Sequence, residues 1–182
     1  MHQVDMNLPA ARSLLQLPSG APHGYLVYPH VEWGKVVYLS MRLAFVGDKR
    51  ELRGVLAHYN LPADLVGERK PYWNQTAIPG QGAVVVVEGQ ADAVTLEQFG
   101  IPEVALAGVK VGDTDEGRGL LRQLAKHDHV YVGLDCDDAG VRGAQALADS
   151  LGPEIRVVRW PDHDVNDWLM ASPVTCTAEA IE

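Results

Sequence analysis

Residues 84–101 read VVVVEGQADAVTLEQFGI, and the way this stretch divides decides the fold. Four consecutive valines leave no polar face. Such a run is a strand buried on both sides, as in a parallel sheet covered by helices. Glu88 and Gly89 end it, and the segment ADAVTLEQFG (91–100) reads as a helix stopping at Gly100. The same strand-to-helix step then recurs down the chain. EVALAG, HVYVGLD and EIRVVRW read as strands; EGRGLLRQLAKH, DAGVRGAQALADSLG and the short VNDWLM read as helices. Four strands alternating with helices predict right-handed βαβ units and a parallel sheet.

Upstream the pattern is different. Residues 1–23 hold three prolines and no period, and are expected to be an arm. GYLVYPH and KVVYLSMRLAF flank a Glu-Trp-Gly turn and predict an antiparallel hairpin. ELRGVLAHY places Leu52, Val55, Leu56 and Tyr59 at helical spacing. Pro62 and Pro71 then interrupt the chain, and the Gly80–Gly82 joint is the expected boundary. The expected organisation is an arm over 1–23, a small α+β subdomain over 24–82, an α/β domain over 83–172 and a tail over 173–182.

Charge follows the same division. The chain has 182 residues and a net charge of −9. Residues 1–82 carry +2 and residues 83–182 carry −11. A mildly basic surface beside a carboxylate-rich site, or simply an unevenly charged acidic protein, both fit. The two cysteines, Cys136 and Cys176, form no C-x-x-C pair, which speaks against structural zinc and for a reducing, cytoplasmic setting. The N-terminus lacks the basic and apolar regions of a secretory signal, and no apolar run approaches the ~20 residues of a membrane span.

In parallel sheets, functional side chains collect at the carboxyl ends of the strands. There the first strand presents Glu88, with Asp92 one turn into the helix. The third presents Asp135, Asp137 and Asp138. The fourth runs into Asp162, Asp164, Asn166 and Asp167, and Lys110 lies beyond the second. A strand-end Glu is ordinarily solvated, and a lone D-x-D is common in loops. Carboxylates on three of four strand ends repel one another unless protons or cations intervene. Hard oxygen donors suit Mg²⁺ or Mn²⁺, and such metals serve phosphate chemistry.

These segments resemble a known family. VVVVEGQADAVTLEQFGI is similar to the first TOPRIM motif, a strand-end Glu-Gly followed by an Asp. GLDCDDAGVRGAQAL resembles the second, a D-x-D followed by Ala-Gly and a helix, and WPDHDVNDWL resembles the segment after the fourth strand. Order and spacing resemble the catalytic core of a bacterial-type (DnaG-like) DNA primase. YLVYPHVEWGKVVYLSMRLAF, with Arg42, resembles the hairpin that precedes it. ERKPYWNQ, with Lys70, Tyr72 and Asn74, resembles a Lys-Tyr-x-Asn stretch that HYNLP also partly matches. Asn166-Asp167 resembles the phage and mobile-element form.

The resemblance implies a TOPRIM-type four-stranded parallel sheet flanked by helices, preceded by a small α+β subdomain with a hairpin. It implies a nucleotidyltransferase making RNA primers on single-stranded DNA from NTPs, a DNA-directed RNA polymerase activity in DNA replication, with no membrane; a replicative helicase is expected as a partner only through regions outside this sequence. Glu88, Asp135 and Asp137 are the implied catalytic residues. Glu88, Asp92, Asp135, Asp137 and Asp164 are the implied ligands of Mg²⁺ or Mn²⁺. Arg42, Lys70, Tyr72, Asn74 and Lys110 are the implied nucleotide or nucleic-acid contacts. Each cation among them also fits an ordinary solvated surface, and Tyr72 and Trp73 fit packing as well as stacking on bases. His127, His129 and His163 read as surface residues. A TOPRIM nuclease using the same carboxylates, or a non-catalytic scaffold, are the alternatives.

Overall fold

The structure, a computed structural model, describes residues 2–4, 25–32, 35–43, 58–60, 73–74, 80–106, 115–152 and 154–171. The chain divides into two compact units, Met1–Lys70 and Pro71–Glu182.

The first unit holds a four-stranded antiparallel sheet in the order β1 (His2–Val4), β2 (Tyr25–Glu32), β3 (Lys35–Leu43), β4 (His58–Asn60). The expected hairpin is β2–β3, closed at the Glu32–Lys35 pair, with an irregularity between His30 and Val31. Tyr25, Val27, Tyr28, Tyr38 and Met41 are buried in it, as are His30 and Ser40, which share a 2.9 Å hydrogen bond.

Two expectations are corrected here. The arm over 1–23 contains β1, which pairs with Tyr25–Val27. A strand of three residues with two polar ones carries no hydrophobic signal, so only its partner reveals it. The helix expected through His58 and Tyr59 is not formed there. Those residues belong to β4, paired with Ser40–Arg42, while residues 51–57 lie outside the described residues. Sheet-edge pairing overrides helical spacing.

The second unit is the expected α/β layer structure. Its four strands, β5 (Ala83–Val87), β6 (Glu103–Ala105), β7 (His129–Val132) and β8 (Ile155–Val157), form one sheet in the order β6-β5-β7-β8. All its pairings are parallel. The helices are α1 (Gln90–Gln98), α2 (Asp115–Leu124), α3 (Asp138–Leu151) and α4 (Val165–Ala171).

The valine run explains the layering. Val84 and Val86 face one side with Leu120 and Leu124 of α2 and Ala144 and Leu147 of α3. Val85 and Val87 face the other with Ala93 and Leu96 of α1 and Val165 of α4. Each buried valine contributes about 1.5–3 kcal/mol, so both faces anchor β5 at the sheet centre. Trp73 bridges Ala105 and so attaches to this second unit, upstream of the Gly80–Gly82 joint.

Strand order fixes where a site can form. The chain leaves β5 for β6 on one side, then crosses back to β7 on the other. The point of reversal lies between β5 and β7, and ligands bind in the crevice outside the carboxyl ends at such a point.

Candidate metal centre

Val86 pairs with Val132, and the Gly133 N–H donates to the Val86 carbonyl at 2.9 Å. Glu88 and Asp135 therefore leave the sheet as neighbours. Burial pushes the Glu88 carboxyl above its ordinary range, and the charges of Asp135 and Asp137 push the same way. Hydrogen bonding from the Asp135 backbone and the nearby His163 oppose the shift without cancelling it. Glu88 is thus close enough to Asp135 and Asp137 for their charges to act on it.

Asp137 is held differently. It caps α3, its Oδ1 accepting from Gly140 N at 2.7 Å and Ala139 N at 2.9 Å. The Gly140 hydrogen bond leads in holding this carboxyl below its ordinary value; desolvation opposes it, and Ala139, His163 and Arg142 add to the lowering. The side chain therefore stays ionised in one orientation.

Asp164 repeats the device at α4. Its Oδ1 accepts from Asp167 N at 2.8 Å, and its Oδ2 lies 3.9 Å from His163 Nδ1. Asp135, His163 and Asp164 each bring one ligand atom within 4.8 Å of the others. The His163 carbonyl also accepts from Cys136 N at 2.7 Å, tying the loop after β8 to the D-x-D turn. The donor set of two half-buried carboxylates and an exposed imidazole fits a divalent cation; Glu88 and Asp137 are not in this group, though the charges of Asp135 and His163 reach Glu88 and that of His163 reaches Asp137. His163 is at the surface, as the sequence reads, and its place beside Asp135 and Asp164 has no periodicity or pairing in the sequence to mark it.

Asp92 is 7% exposed and turned inward. Its Oδ2 accepts from Gly89 N at 3.2 Å and its Oδ1 from the Asn166 amide. The structure places it behind the Glu88–Gly89 turn, outside the Asp135–His163–Asp164 group.

Two glycines make the turns fit. A Cβ on Gly140 would stand 2.1 Å from the Asp135 carbonyl oxygen, so α3 starts against that backbone only without a side chain. A Cβ on Gly133 would meet the Trp160 ring at 2.5 Å, and the Trp160 indole donates to the Gly133 carbonyl at 3.0 Å.

Of the expected nucleotide contacts, Arg42 is exposed on β3 in the first unit. Lys70, Tyr72 and Lys110 lie outside the described residues. Asn74 spends its amide on Glu103, donating to its carbonyl at 3.3 Å and to its carboxylate. Glu103 is level with Val85, three residues short of Glu88 along the sheet, or about 10 Å. Asn74 thus sits back from the strand ends. Burial pushes the Glu103 carboxyl up to about 7.

Residues 85–169 match the Toprim-like family. These residues, just under half of the chain, are similar to a TOPRIM domain. The chain is 25% identical over 146 residues to the Gene 57 protein of Mycobacterium phage D29, which is 79% of this chain and 88% of that protein. The Aquifex aeolicus primase, in its zinc-binding and RNA polymerase domains, has a TM-score of 0.63 at 22% identity. That match covers 91% of this chain and 43% of the Aquifex chain. A chain from the complex of the bacteriophage T7 lagging-strand DNA polymerase with primase domains of two gp4 subunits, bound to an RNA/DNA hybrid and dTTP, gives 0.60 at 18%. It covers 86% of this chain and 74% of that one. The likeness is one of fold, and it extends beyond the TOPRIM-like residues into the first unit. No helix among the described residues is long and apolar enough to cross a membrane.

Proposed function

We propose that the chain is a primase-type nucleotidyltransferase core that joins NTPs into an RNA primer on single-stranded DNA. One observation carries this reading: Asp135, Asp164 and His163 converge within 4.8 Å, with the charge of His163 reaching Glu88 and Asp137, at the strand ends of a TOPRIM-like sheet. In the reaction, a 3′-hydroxyl attacks an α-phosphate in line and pyrophosphate leaves. A divalent cation, Mg²⁺ or Mn²⁺, supplies charge neutralisation for the phosphates when bound.

The chain's own residues do the positioning. Asp137 and Asp164 each have one oxygen fixed by backbone N–H groups, which fixes where the other points. Burial and the charges of Asp135 and Asp137 disfavour the Glu88 anion, and a bound cation would favour it. Asp92 sets the Glu88–Gly89 turn from behind. Arg42, Lys70, Tyr72 and Lys110 remain the proposed contacts to the template and nucleotide.

A TOPRIM nuclease would use the same carboxylates. The primase reading is favoured because the fold likeness to primase structures covers up to 91% of the chain, including the antiparallel unit, rather than the TOPRIM residues alone. The test is to incubate the chain with a single-stranded template, labelled NTPs and Mn²⁺, beside a nicking assay on duplex and single-stranded DNA. Template-dependent RNA products that vanish in Asp135→Asn support the reading. Cleavage without synthesis supports the nuclease.

A further inference from the structure

A cavity of about 220 Å³ opens between the start of α3 and the end of β8, on the far side of the D-x-D turn from β5. Asp135 and Cys136 form one wall, Val141 and Val157 contribute apolar lining, and Arg142 and Arg159 both border it. Neither arginine has a salt bridge among the described residues, and both are exposed. Arg142 is near enough to Asp137 to help depress its pKa.

We propose that this cavity is a phosphate subsite of the same centre, holding a phosphate group of a nucleotide between Arg142 and Arg159. The inference rests on the function proposed above. A nucleotide approaching this unit meets Glu88, Asp135, Asp137 and Asp164, in a half of the chain that carries −11. A cation at the carboxylates offsets part of that repulsion for the phosphate it touches. The neighbouring phosphate needs positive charge of its own. The two guanidiniums supply it beside the Asp135 wall, and their planar forks match phosphate oxygens. The α3–β8 edge thus adds a phosphate-binding element beyond Arg42, Lys70 and Lys110, the cations expected from the sequence. The phosphate has two sources, the triphosphate of an incoming NTP or the backbone of a nucleic-acid strand.

The experiment measures equilibrium binding of ATP and of a single-stranded oligonucleotide to the full chain at fixed Mn²⁺. It compares wild type, Arg142→Gln/Arg159→Gln and Arg142→Lys/Arg159→Lys. Melting temperature is expected to be unchanged in both variants, since both side chains are exposed, and Mn²⁺ binding to be no weaker, since the Gln pair only removes positive charge beside Asp137. Loss of ATP affinity by about tenfold or more in the Gln pair, partly restored in the Lys pair, supports the subsite with the NTP as its source. The same loss confined to the oligonucleotide supports it with a strand phosphate as its source. Unchanged affinity for both overturns it, as does a wild type that binds neither. Primer synthesis at wild-type rate in the Gln pair sinks the subsite and leaves the primase reading intact. Arginine-dependent ATP binding without primer synthesis does the reverse.

Discussion

The side-chain amide of Asn166, in α4, donates to the buried carboxylate of Asp92, in α1, across 74 residues of sequence. The same Asn166 accepts from the Thr95 hydroxyl, and the same Asp92 accepts from Gly89 N. One hydrogen-bonded chain therefore links the loop carrying Asp164 to the turn carrying Glu88. Asn is required at 166 by this arrangement, because an Asp there would face Asp92 with a second carboxylate and no proton to share at neutral pH.

Asn166→Asp is accordingly expected to cost about 1–3 kcal/mol at neutral pH. One carboxyl of the new pair would have a raised pKa, so the loss should shrink as pH falls and that group binds a proton. Urea denaturation at neutral and mildly acidic pH checks this. A pH-independent difference between variant and wild type would contradict it.

Gly140→Ala should be far more damaging than Gly119→Ala. The first puts a methyl 2.1 Å from the Asp135 carbonyl oxygen, whereas the second meets only the end of the Arg122 side chain at 3.9 Å in the middle of α2. Moving the Asp135 backbone is expected to cost about 1–3 kcal/mol or more and to weaken Mn²⁺ binding. Gly119→Ala should gain about 0.5–1 kcal/mol through helix propensity. Thermal melts with and without Mn²⁺ separate the two.

Glu103 gives a pH signature away from the metal centre. Its carboxyl titrates near 7 in the folded chain against an ordinary 4.5. Between those values the folded state keeps a proton that the unfolded state has released. This group's stabilisation is full below the unfolded value and is lost as pH rises to about 7. Glu103→Gln keeps an acceptor for the Asn74 amide and removes the titration. The difference in stability between variant and wild type should therefore grow in the variant's favour across that window. A constant difference would show that Glu103 is ionised throughout.

Much of this was legible in the sequence, for identifiable reasons. The run Val84–Val87 is buried on both faces, and four β-branched residues in a row bounded by glycines favour such a strand. The D-x-D and the Glu-Gly fall at strand ends, so parallel-sheet topology alone brings Glu88 and Asp135 together. What escaped notice depended on tertiary pairing. β1 and β4 are three-residue strands defined by β2 and β3. His163 and Arg159 lie outside regular elements, and Arg142 sits on an exposed helix face. The resemblance implies a nucleotide contact for Asn74, whereas its amide donates to Glu103, a contact no spacing encodes.

The account stands on a single centre built from three strand ends, and Mn²⁺ titration followed by electron paramagnetic resonance tests it most directly. Wild type should bind Mn²⁺ saturably, with Mg²⁺ competing. Asp135→Asn and Glu88→Gln should abolish or strongly weaken that binding without lowering the metal-free melting temperature, since each removes a repelling charge. His163→Ala should weaken it to a smaller degree. Equal Mn²⁺ binding by wild type and Asp135→Asn, or a collapse of metal-free stability in that variant, would contradict the central claim.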